Sequence, residues 1–151
     1  MKQLNIGIIG AGRIGKLHAQ SITYAVPAAR VYGITDVRTD GLQELKEKFG
    51  IEKIYASIDD MLADDQIDAV LVCSSTDTHA DIAIQAAKAG KHIFCEKPVD
   101  LTPEKVEAVL EAVETAGVKL QVGFNRRFDH NFARLRLSLI HISEPTRLRC
   151  I

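Results

Sequence analysis

The chain has 151 residues, of which 46% are hydrophobic, and its formal net charge is −1 at pH 7. This length predicts one domain with a core of its own, and the near-neutral charge argues against nucleic acid or a membrane as a partner. No charged-then-apolar leader precedes the first strand, and no apolar run is long enough to span a bilayer, so we expect a cytoplasmic protein. The three cysteines, Cys73, Cys95 and Cys150, have neither metal-ligand spacing nor even pairing, which favours a reducing compartment and predicts no metal site.

Strand and helix patterns alternate along the chain. The predicted strands are Leu4–Ile9, Arg30–Thr35, Ile54–Tyr55, Ala69–Cys73, His92–Cys95 and Lys119–Val122. The predicted helices are Ile14–Tyr24, Asp40–Phe49, Ile58–Ala63, His79–Ala89 and Pro103–Ala116, with Ser57 and Thr102 as N-caps. Continuous apolar strands of this kind are covered on both faces, so the pattern predicts an α/β fold with a doubly wound parallel sheet.

A glycine-rich turn joins the first strand to the first helix, with the sequence Gly10-Ala11-Gly12-Arg13-Ile14-Gly15. The first glycine permits the turn, the second lets phosphates approach the main chain, and the third lets the helix pack near the strand. The helix N-terminus adds N–H donors and a partial positive charge. The turn therefore predicts a dinucleotide site with Gly10, Gly12, Arg13 and Ile14 as cofactor contacts; the alternative is a purely structural turn.

An acidic residue, Asp36, follows the second predicted strand. A carboxylate there accepts hydrogen bonds from the adenosine ribose hydroxyls and repels a 2′-phosphate, which favours NAD over NADP. The alternative is a helix N-cap or a solvated loop acid. Arg38 leaves weaker NADP binding open, because an arginine at this point pairs with a 2′-phosphate or stacks on adenine.

A polar loop, Ser74-Ser75-Thr76-Asp77-Thr78-His79, follows the fourth strand. Ser74, Ser75 and Thr76 are predicted to line the cofactor, whereas the alternative is that the loop caps the next helix. His79 either contacts the cofactor or orients the loop. His18, inside the first helix, is interpreted as a packed side chain rather than a functional one.

A short motif, Glu96-Lys97-Pro98, follows the fifth strand. Parallel strands end at one sheet edge, so Lys97 is expected beside the dinucleotide turn, where partial desolvation disfavours its charged form. A lysine in that position is a candidate proton-transfer group, and the pair of motifs suggests a nicotinamide-dependent oxidoreductase. The alternative for Lys97 is an ordinary surface lysine before a proline.

Together these motifs resemble the Gfo/Idh/MocA oxidoreductases, and the similarity covers residues 2 to about 136. The segments that carry it are Gly10–Gly15, Asp36, Ser74–His79, Lys91–Pro98 and Gly123–Asp129. Within the family, Phe94–Leu101 and Gly123–Asp129 look most like the corresponding segments of the myo-inositol 2-dehydrogenases. The resemblance implies an NAD(P)-binding Rossmann fold followed by an α+β substrate domain that is missing from this sequence.

The resemblance also implies roles for single residues. Lys97 would hydrogen-bond the reacting hydroxyl of a small polyol substrate and move its proton, and Glu96 would reach the nicotinamide ribose or orient Lys97. Asn125 and Arg127 would contact substrate, although an arginine there also serves to tie domains together. A further Asp and His would come from the second domain, through which the full-length protein is expected to form a homo-oligomer.

The sequence therefore predicts a dinucleotide-binding domain over residues 1–124 and the start of a connection over 125–136. Residues 137–151 are interpreted as a non-native tail, because Leu137 to Arg147 reads like a translated sequencing-library adapter. The alternative is a natural, divergent C-terminus. A natural helix is expected over residues 129–136, leading towards the second domain.

Overall fold

A computed structural model describes residues 3–132 and 134–135, and it has alternating strands and helices. The strands are β1 (Leu4–Ile9), β2 (Ala29–Thr35), β3 (Lys53–Ile54), β4 (Ala69–Val72), β5 (His92–Cys95) and β6 (Leu120–Val122). The helices are α1 (Arg13–Ala25), α2 (Leu42–Phe49), α3 (Ile58–Leu62), α4 (His79–Lys88) and α5 (Pro103–Ala116). Single 3₁₀ turns occupy Thr76–Thr78 and Asn125–Phe128. The predicted order of elements is confirmed.

All six strands belong to one sheet, in the order β3-β2-β1-β4-β5-β6, and every neighbouring pair is parallel. From β1 the chain adds β2 and β3 towards one edge of the sheet, and it then returns to place β4 on the other side of β1. The gap between β1 and β4 is therefore the topological switch point. Ligands of such sheets bind beyond the carboxyl ends of the strands at this point.

The register aligns the carboxyl ends of five strands. Ile9 in β1 pairs with Thr35 in β2 and with Val72 in β4; Val72 pairs with Cys95 in β5, which pairs with Val122 in β6. The next residue of each strand therefore stands in one row. From β2 across to β6 these residues are Asp36, Gly10, Cys73, Glu96 and Gly123.

Two apolar clusters cover the two sheet faces. On one face, Ile8 and Ile34 pack with α1 and α2 through residues such as Ile22 and Leu45. On the other face, Val70, Val72 and Cys95 pack with residues of α3, α4 and α5. Each large side chain of this kind contributes about 1.5–3 kcal/mol when it is buried. This two-sided burial confirms the doubly wound fold.

The structure moves some predicted boundaries by one or two residues. Helix α2 begins at Leu42 rather than Asp40, because Gly41 is its N-cap and has a φ of +82°. Strand β3 ends at Ile54, although the Tyr55 N–H still donates to the Ile34 carbonyl at 2.9 Å. Ser57 is the N-cap of α3 as predicted, since its hydroxyl accepts from the Asp60 N–H at 3.1 Å.

Residues 130–132 and 134–135 are helical, within the range of the expected connecting helix. The interpretation of residues 137–151 as a tail concerns a segment outside the described residues. Within the described part of the chain, no helix is both long and apolar enough to cross a membrane.

Candidate active site

The glycine turn fits an anionic ligand. Gly10 has a φ of +100°, and a Cβ on it would lie 2.6 Å from the backbone of Cys73 and Ser74. A Cβ on Gly15 would overlap the Gly10 carbonyl oxygen, so α1 packs directly against the turn. By contrast, a Cβ on Gly12 would meet no protein atom within 4 Å. Gly10 and Gly15 are thus required by the fold, whereas the bare face of Gly12 opens onto free space.

Gly12 is also the N-cap of α1. This cap has no side-chain hydrogen bond, and the first turn of the helix contains no acidic residue. The N-terminal N–H groups and the positive end of the helix dipole are therefore not neutralised by a local carboxylate, which suits phosphate binding. The residues present fit the dinucleotide that the sequence predicts.

Asp36 is held beside this turn by two backbone donors. The Ala11 N–H donates to Oδ2 at 2.6 Å, and the Arg38 N–H donates to Oδ1 at 2.8 Å. Each carboxylate oxygen accepts more than one hydrogen bond, so capacity remains for ribose hydroxyls. The N-cap of α2 is Gly41, which excludes the alternative that Asp36 caps that helix.

A cleft of about 680 Å³ opens in front of the turn and the ends of β1, β2 and β4. Its volume is in the range of small-molecule and cofactor sites. The predicted residues on its wall are Gly10, Gly12, Asp36, Arg38, Ser74 and Ser75. Arg13, Ile14, Thr76, His79, Glu96 and Lys97 are not part of this wall.

The cleft wall also contains residues that the sequence analysis missed. Val37 is 98% exposed, and the β3–α3 turn together with the first residues of α3 contributes Ser57, Ile58 and Asp59. A valine directly after the predicted ribose-binding acid is a signal that sequence reading could have used, since an apolar side chain at this point offers a surface for a planar base. The β3–α3 turn gave no such signal, because only the sheet order brings it to the cleft.

The loop after β4 is ordered by its own hydroxyls. Ser74 Oγ lies 2.8 Å from Thr78 Oγ1, and Thr78 Oγ1 donates to the Ser75 carbonyl at 2.8 Å. Thr78 is the N-cap residue of α4, but its side chain makes no capping hydrogen bond. The geometry therefore gives little support to the alternative of a helix-capping loop.

His79 ties two loops together. Its side chain is 2% exposed, with Nδ1 2.8 Å from the Pro98 carbonyl oxygen and Nε2 3.1 Å from the Ser74 carbonyl oxygen. A carbonyl oxygen only accepts, so a neutral ring supplies one of these bonds and an imidazolium supplies both. With both nitrogens directed at the protein, His79 orients the two loops in this structure and does not contact the cleft.

The Glu96-Lys97-Pro98 turn lies at the same sheet edge, two strands away from the glycine turn. The Lys97–Pro98 peptide is cis. Lys97 itself is exposed, so the desolvation that the sequence analysis expects is not provided by the described residues. Asn125 and Arg127 follow β6 in a single 3₁₀ turn and are also exposed.

The sequence analysis assigned His18 to packing, but the structure pairs it with Glu96. His18 Nε2 lies 2.8 Å from Glu96 Oε1. The two residues are 78 positions apart in the sequence, so no local sequence pattern predicts the contact. The sequence did contain one signal for this contact: His18 lies three residues after Gly15 in α1, a spacing that directs both residues towards the sheet.

Two buried thiols lie at the same sheet edge: Cys73 belongs to the row, and Cys95 is the last residue of β5. Burial, and secondly the negative charge of Glu96, raise the pKa of Cys73 to about 12 and that of Cys95 to about 11. Both cysteines are free and buried. They therefore remain protonated core residues at neutral pH. Among the described residues no group of three His, Cys, Asp or Glu side chains is placed to hold a metal ion.

The sheet order and the glycine turn define a dinucleotide-binding protein of the Rossmann type. The chain belongs to the Gfo/Idh/MocA family, matching the description "Oxidoreductase family, NAD-binding Rossmann fold" over residues 4–124. It is 49% identical to the myo-inositol 2-dehydrogenase of Thermotoga maritima over 148 residues, covering 97% of this chain and 44% of that protein. It is 43% identical to the inositol 2-dehydrogenase of Rhizobium meliloti, covering 90% of this chain and 40% of that protein.

Solved structures give the same result. The scyllo-inositol dehydrogenase of Lactobacillus casei, crystallised with bound NAD(H) and scyllo-inositol, matches with a TM-score of 0.86 and 34% identity. The match covers 95% of this chain and 43% of that one. The chain thus spans less than half the length of these relatives.

Proposed function

We propose that the full-length protein oxidises a secondary alcohol of a cyclitol with NAD, converting myo-inositol to 2-keto-inositol. The observation that carries this proposal is the row along the carboxyl edge of the sheet. There a ligand-accessible glycine turn, an acid held for ribose binding and the Glu96-Lys97-Pro98 turn share one side of one domain. The names of the relatives support the choice of a cyclitol as substrate.

The cofactor is held by the chain's own backbone and one carboxylate. The Gly12 turn and the α1 N-terminus bind the pyrophosphate, and Asp36 accepts hydrogen bonds from the adenosine ribose. Because a 2′-phosphate would bring negative charge against Asp36, NAD binds more tightly than NADP. Arg38, on the same wall of the cleft, contributes to the weaker binding of NADP.

Lys97 acts on the reacting hydroxyl. Its unprotonated Nζ accepts a hydrogen bond from the hydroxyl and receives the hydroxyl proton as the carbon–oxygen double bond forms. Bound NAD supplies the chemistry that this chain lacks, since it accepts the hydride from the alcohol carbon. Asn125 and Arg127 contact the polyol hydroxyls from the neighbouring strand end.

The chain as described forms only part of such a site. Lys97 is exposed, and catalysis requires alcohol and cofactor to be held in a near-attack geometry. In our proposal a second, α+β domain contributes the opposite wall, a further acid and histidine, and the contacts of a homo-oligomer. This chain then binds cofactor without turnover, and residues 137–151 do not take part.

Two other functions are compatible with the same fold. One is a dehydrogenase of another sugar, because nothing in the described residues fixes the stereochemistry of the substrate. The other is a sensor that binds the dinucleotide without chemistry. Lys97 favours the enzyme over the sensor, since a sensor does not need a proton-transfer group at the cofactor edge.

The test uses this chain and the full-length protein in parallel. The chain should bind NADH, measured by fluorescence titration, and should give no NADH with myo-inositol and NAD. The full-length protein should oxidise myo-inositol, and Lys97→Ala should lower its kcat by roughly 10²–10⁴-fold with little change in NAD affinity.

Each arm has an outcome that contradicts the proposal. Near-normal turnover by the Lys97→Ala protein would exclude Lys97 as the proton-transfer group. Full-length protein that binds NAD and oxidises no cyclitol or sugar would favour the sensor. Clear polyol oxidation by this chain alone would contradict the requirement for a second domain.

A further inference from the structure

Glu96 is held at both of its carboxylate oxygens. His18 Nε2 lies 2.8 Å from Oε1, and the Lys97 N–H donates to Oε2 at 3.4 Å. The two side chains are largely buried, with 24% of His18 and 19% of Glu96 exposed. A charged acceptor with fixed partners and partial solvent access is prepared to accept a further hydrogen bond from a ligand.

Three elements build the space in which this pair sits. His18 comes from α1, the helix that begins at the glycine turn, and Phe94 in β5 packs edge-on against its ring at 5.2 Å. Gly123 follows β6, and a Cβ there would lie 3.2 Å from each Glu96 oxygen. A side chain at position 123 would thus press on the carboxylate. The residues around Glu96 leave it room while fixing its direction.

The arrangement repeats that of Asp36 at the other end of the row. Asp36 follows β2 and is held by the N–H groups of Ala11 and Arg38, whereas Glu96 follows β5 and is held by His18 and the Lys97 N–H. Strands β2 and β5 are separated by three inter-strand spacings, or about 14 Å at about 4.8 Å between neighbouring strands. A dinucleotide has two riboses and lies across this crevice. The fixed carboxylates of Asp36 and Glu96, at the two ends of the crevice, are placed so that each accepts hydrogen bonds from the diol of one ribose.

We propose that His18 is a positioning residue that fixes Glu96 as the hydrogen-bond acceptor for the ribose on the nicotinamide side. This inference rests on the proposed function, because it requires that the cleft bind NAD. His18 acts only through Glu96 and touches neither cofactor nor substrate. Helix α1 then serves both halves of the dinucleotide: its N-terminus faces the pyrophosphate, and its second turn holds the distal acid.

The test measures ligand binding to this chain by calorimetry, using NAD, ADP-ribose and ADP. NAD and ADP-ribose contain the distal ribose, and ADP does not. His18→Ala should lower the affinity for NAD and for ADP-ribose by roughly 3–10-fold, which corresponds to the loss of one hydrogen bond. The affinity for ADP should not change. His18→Gln should restore binding, because the Gln amide nitrogen reaches the position of Nε2 and donates to Glu96. His18→Asn is the matched control, since its shorter amide does not reach.

A second measurement needs no cofactor. In ¹⁵N-resolved NMR spectra the His18 Nε2–H proton should be protected from exchange, and Glu96→Ala should abolish that protection. His92 provides the internal control, because its Nδ1 accepts from the Lys119 N–H and Glu96 does not contact it. An unprotected His18 ring proton in the wild type would overturn the pairing even if the alanine variant failed to fold.

The outcomes separate this inference from the proposed function. Wild-type chain that binds neither NAD nor ADP refutes both. Normal NAD binding that His18→Ala leaves unchanged refutes the role of His18 alone. Equal weakening of NAD and ADP, or failure of His18→Gln to restore binding, shows that His18 only packs against Phe94 and overturns the inference.

Discussion

Gly12→Ala separates ligand binding from folding more cleanly than any other substitution at the turn. Gly12 has a φ of −65° and a ψ of −170°, which alanine adopts without strain, and its Cβ would meet no protein atom. Loss of chain entropy in the unfolded state stabilises the variant by about 0.4–1 kcal/mol, and the poorer N-cap removes a similar amount. The free energy of unfolding should therefore change by less than about 1 kcal/mol.

Cofactor binding should respond very differently. The new methyl group fills the open space through which phosphates would approach the main chain. Loss of one hydrogen bond between a backbone N–H and a charged phosphate oxygen costs about 1.5–3 kcal/mol, which weakens Kd by about 10–150-fold. Thermal denaturation and NADH fluorescence titration on the same preparations measure the two effects.

Gly10→Ala is the matched control. The same methyl group at position 10 enters a turn with a φ of +100°, 2.6 Å from the backbone of Cys73, and neither backbone segment can move freely. Positive-φ strain alone costs about 1–3 kcal/mol, so the melting temperature should fall by about 5 °C or more. If Gly12→Ala binds NADH as well as the wild type, the assignment of the open face to phosphate is wrong.

Three further predictions follow from particular residues. The chain should bind NADH more tightly than NADPH, and Asp36→Asn should reduce that preference by roughly tenfold. Arg38→Ala should weaken the binding of NADPH more than that of NADH. Equal affinities of the wild type for the two cofactors would contradict the role of Asp36. The pKa of Asp64 is lowered from 3.8 to about 2, first by a hydrogen bond from Lys53 and then by hydrogen bonds from the Gln66 N–H and Tyr55. The contribution of Asp64 to stability is therefore present above pH 3.8 and is lost as the pH falls through 2. Asp64→Asn should therefore lower the melting temperature at pH 7 and have little effect near pH 2, and a pH-independent difference would contradict this. Deleting residues 137–151 should leave the melting temperature almost unchanged, whereas a large decrease would show that the segment belongs to the fold.

The fold was accessible from sequence because its determinants are local. Short apolar strands, glycines at helix ends and the turn at residues 10–15 each specify one element, and the alternation of strand and helix restricts the sheet to a parallel one. Helices on the two faces then bury Ile8 on one side of β1 and Ile9 on the other. Helix α2 was placed two residues early, because Gly41 takes a positive φ and the helix begins only after it.

The site was only partly accessible, because its remaining determinants are contacts between distant segments. The pairing of His18 with Glu96 depends on the rotation of α1 over β5, and the wall formed by the β3–α3 turn depends on β3 lying at the sheet edge. His79 shows the same limit. From the sequence its ring could either contact the cofactor or orient the loop, and only its burial and its two carbonyl neighbours in the structure favour the second role.

The two ends of the site are mechanically linked through His79 and α1. His79 joins the Ser74 loop, which lines the cleft, to the Pro98 carbonyl, one residue beyond Lys97. Helix α1 joins the glycine turn to Glu96, on the other side of the same lysine. Lys97 itself is exposed, yet the residues on either side of it, Glu96 and Pro98, are contacted by His18 from α1 and by His79, which also contacts the Ser74 loop. We therefore expect cofactor binding and the placement of the proton-transfer group to be coupled in the proposed enzyme.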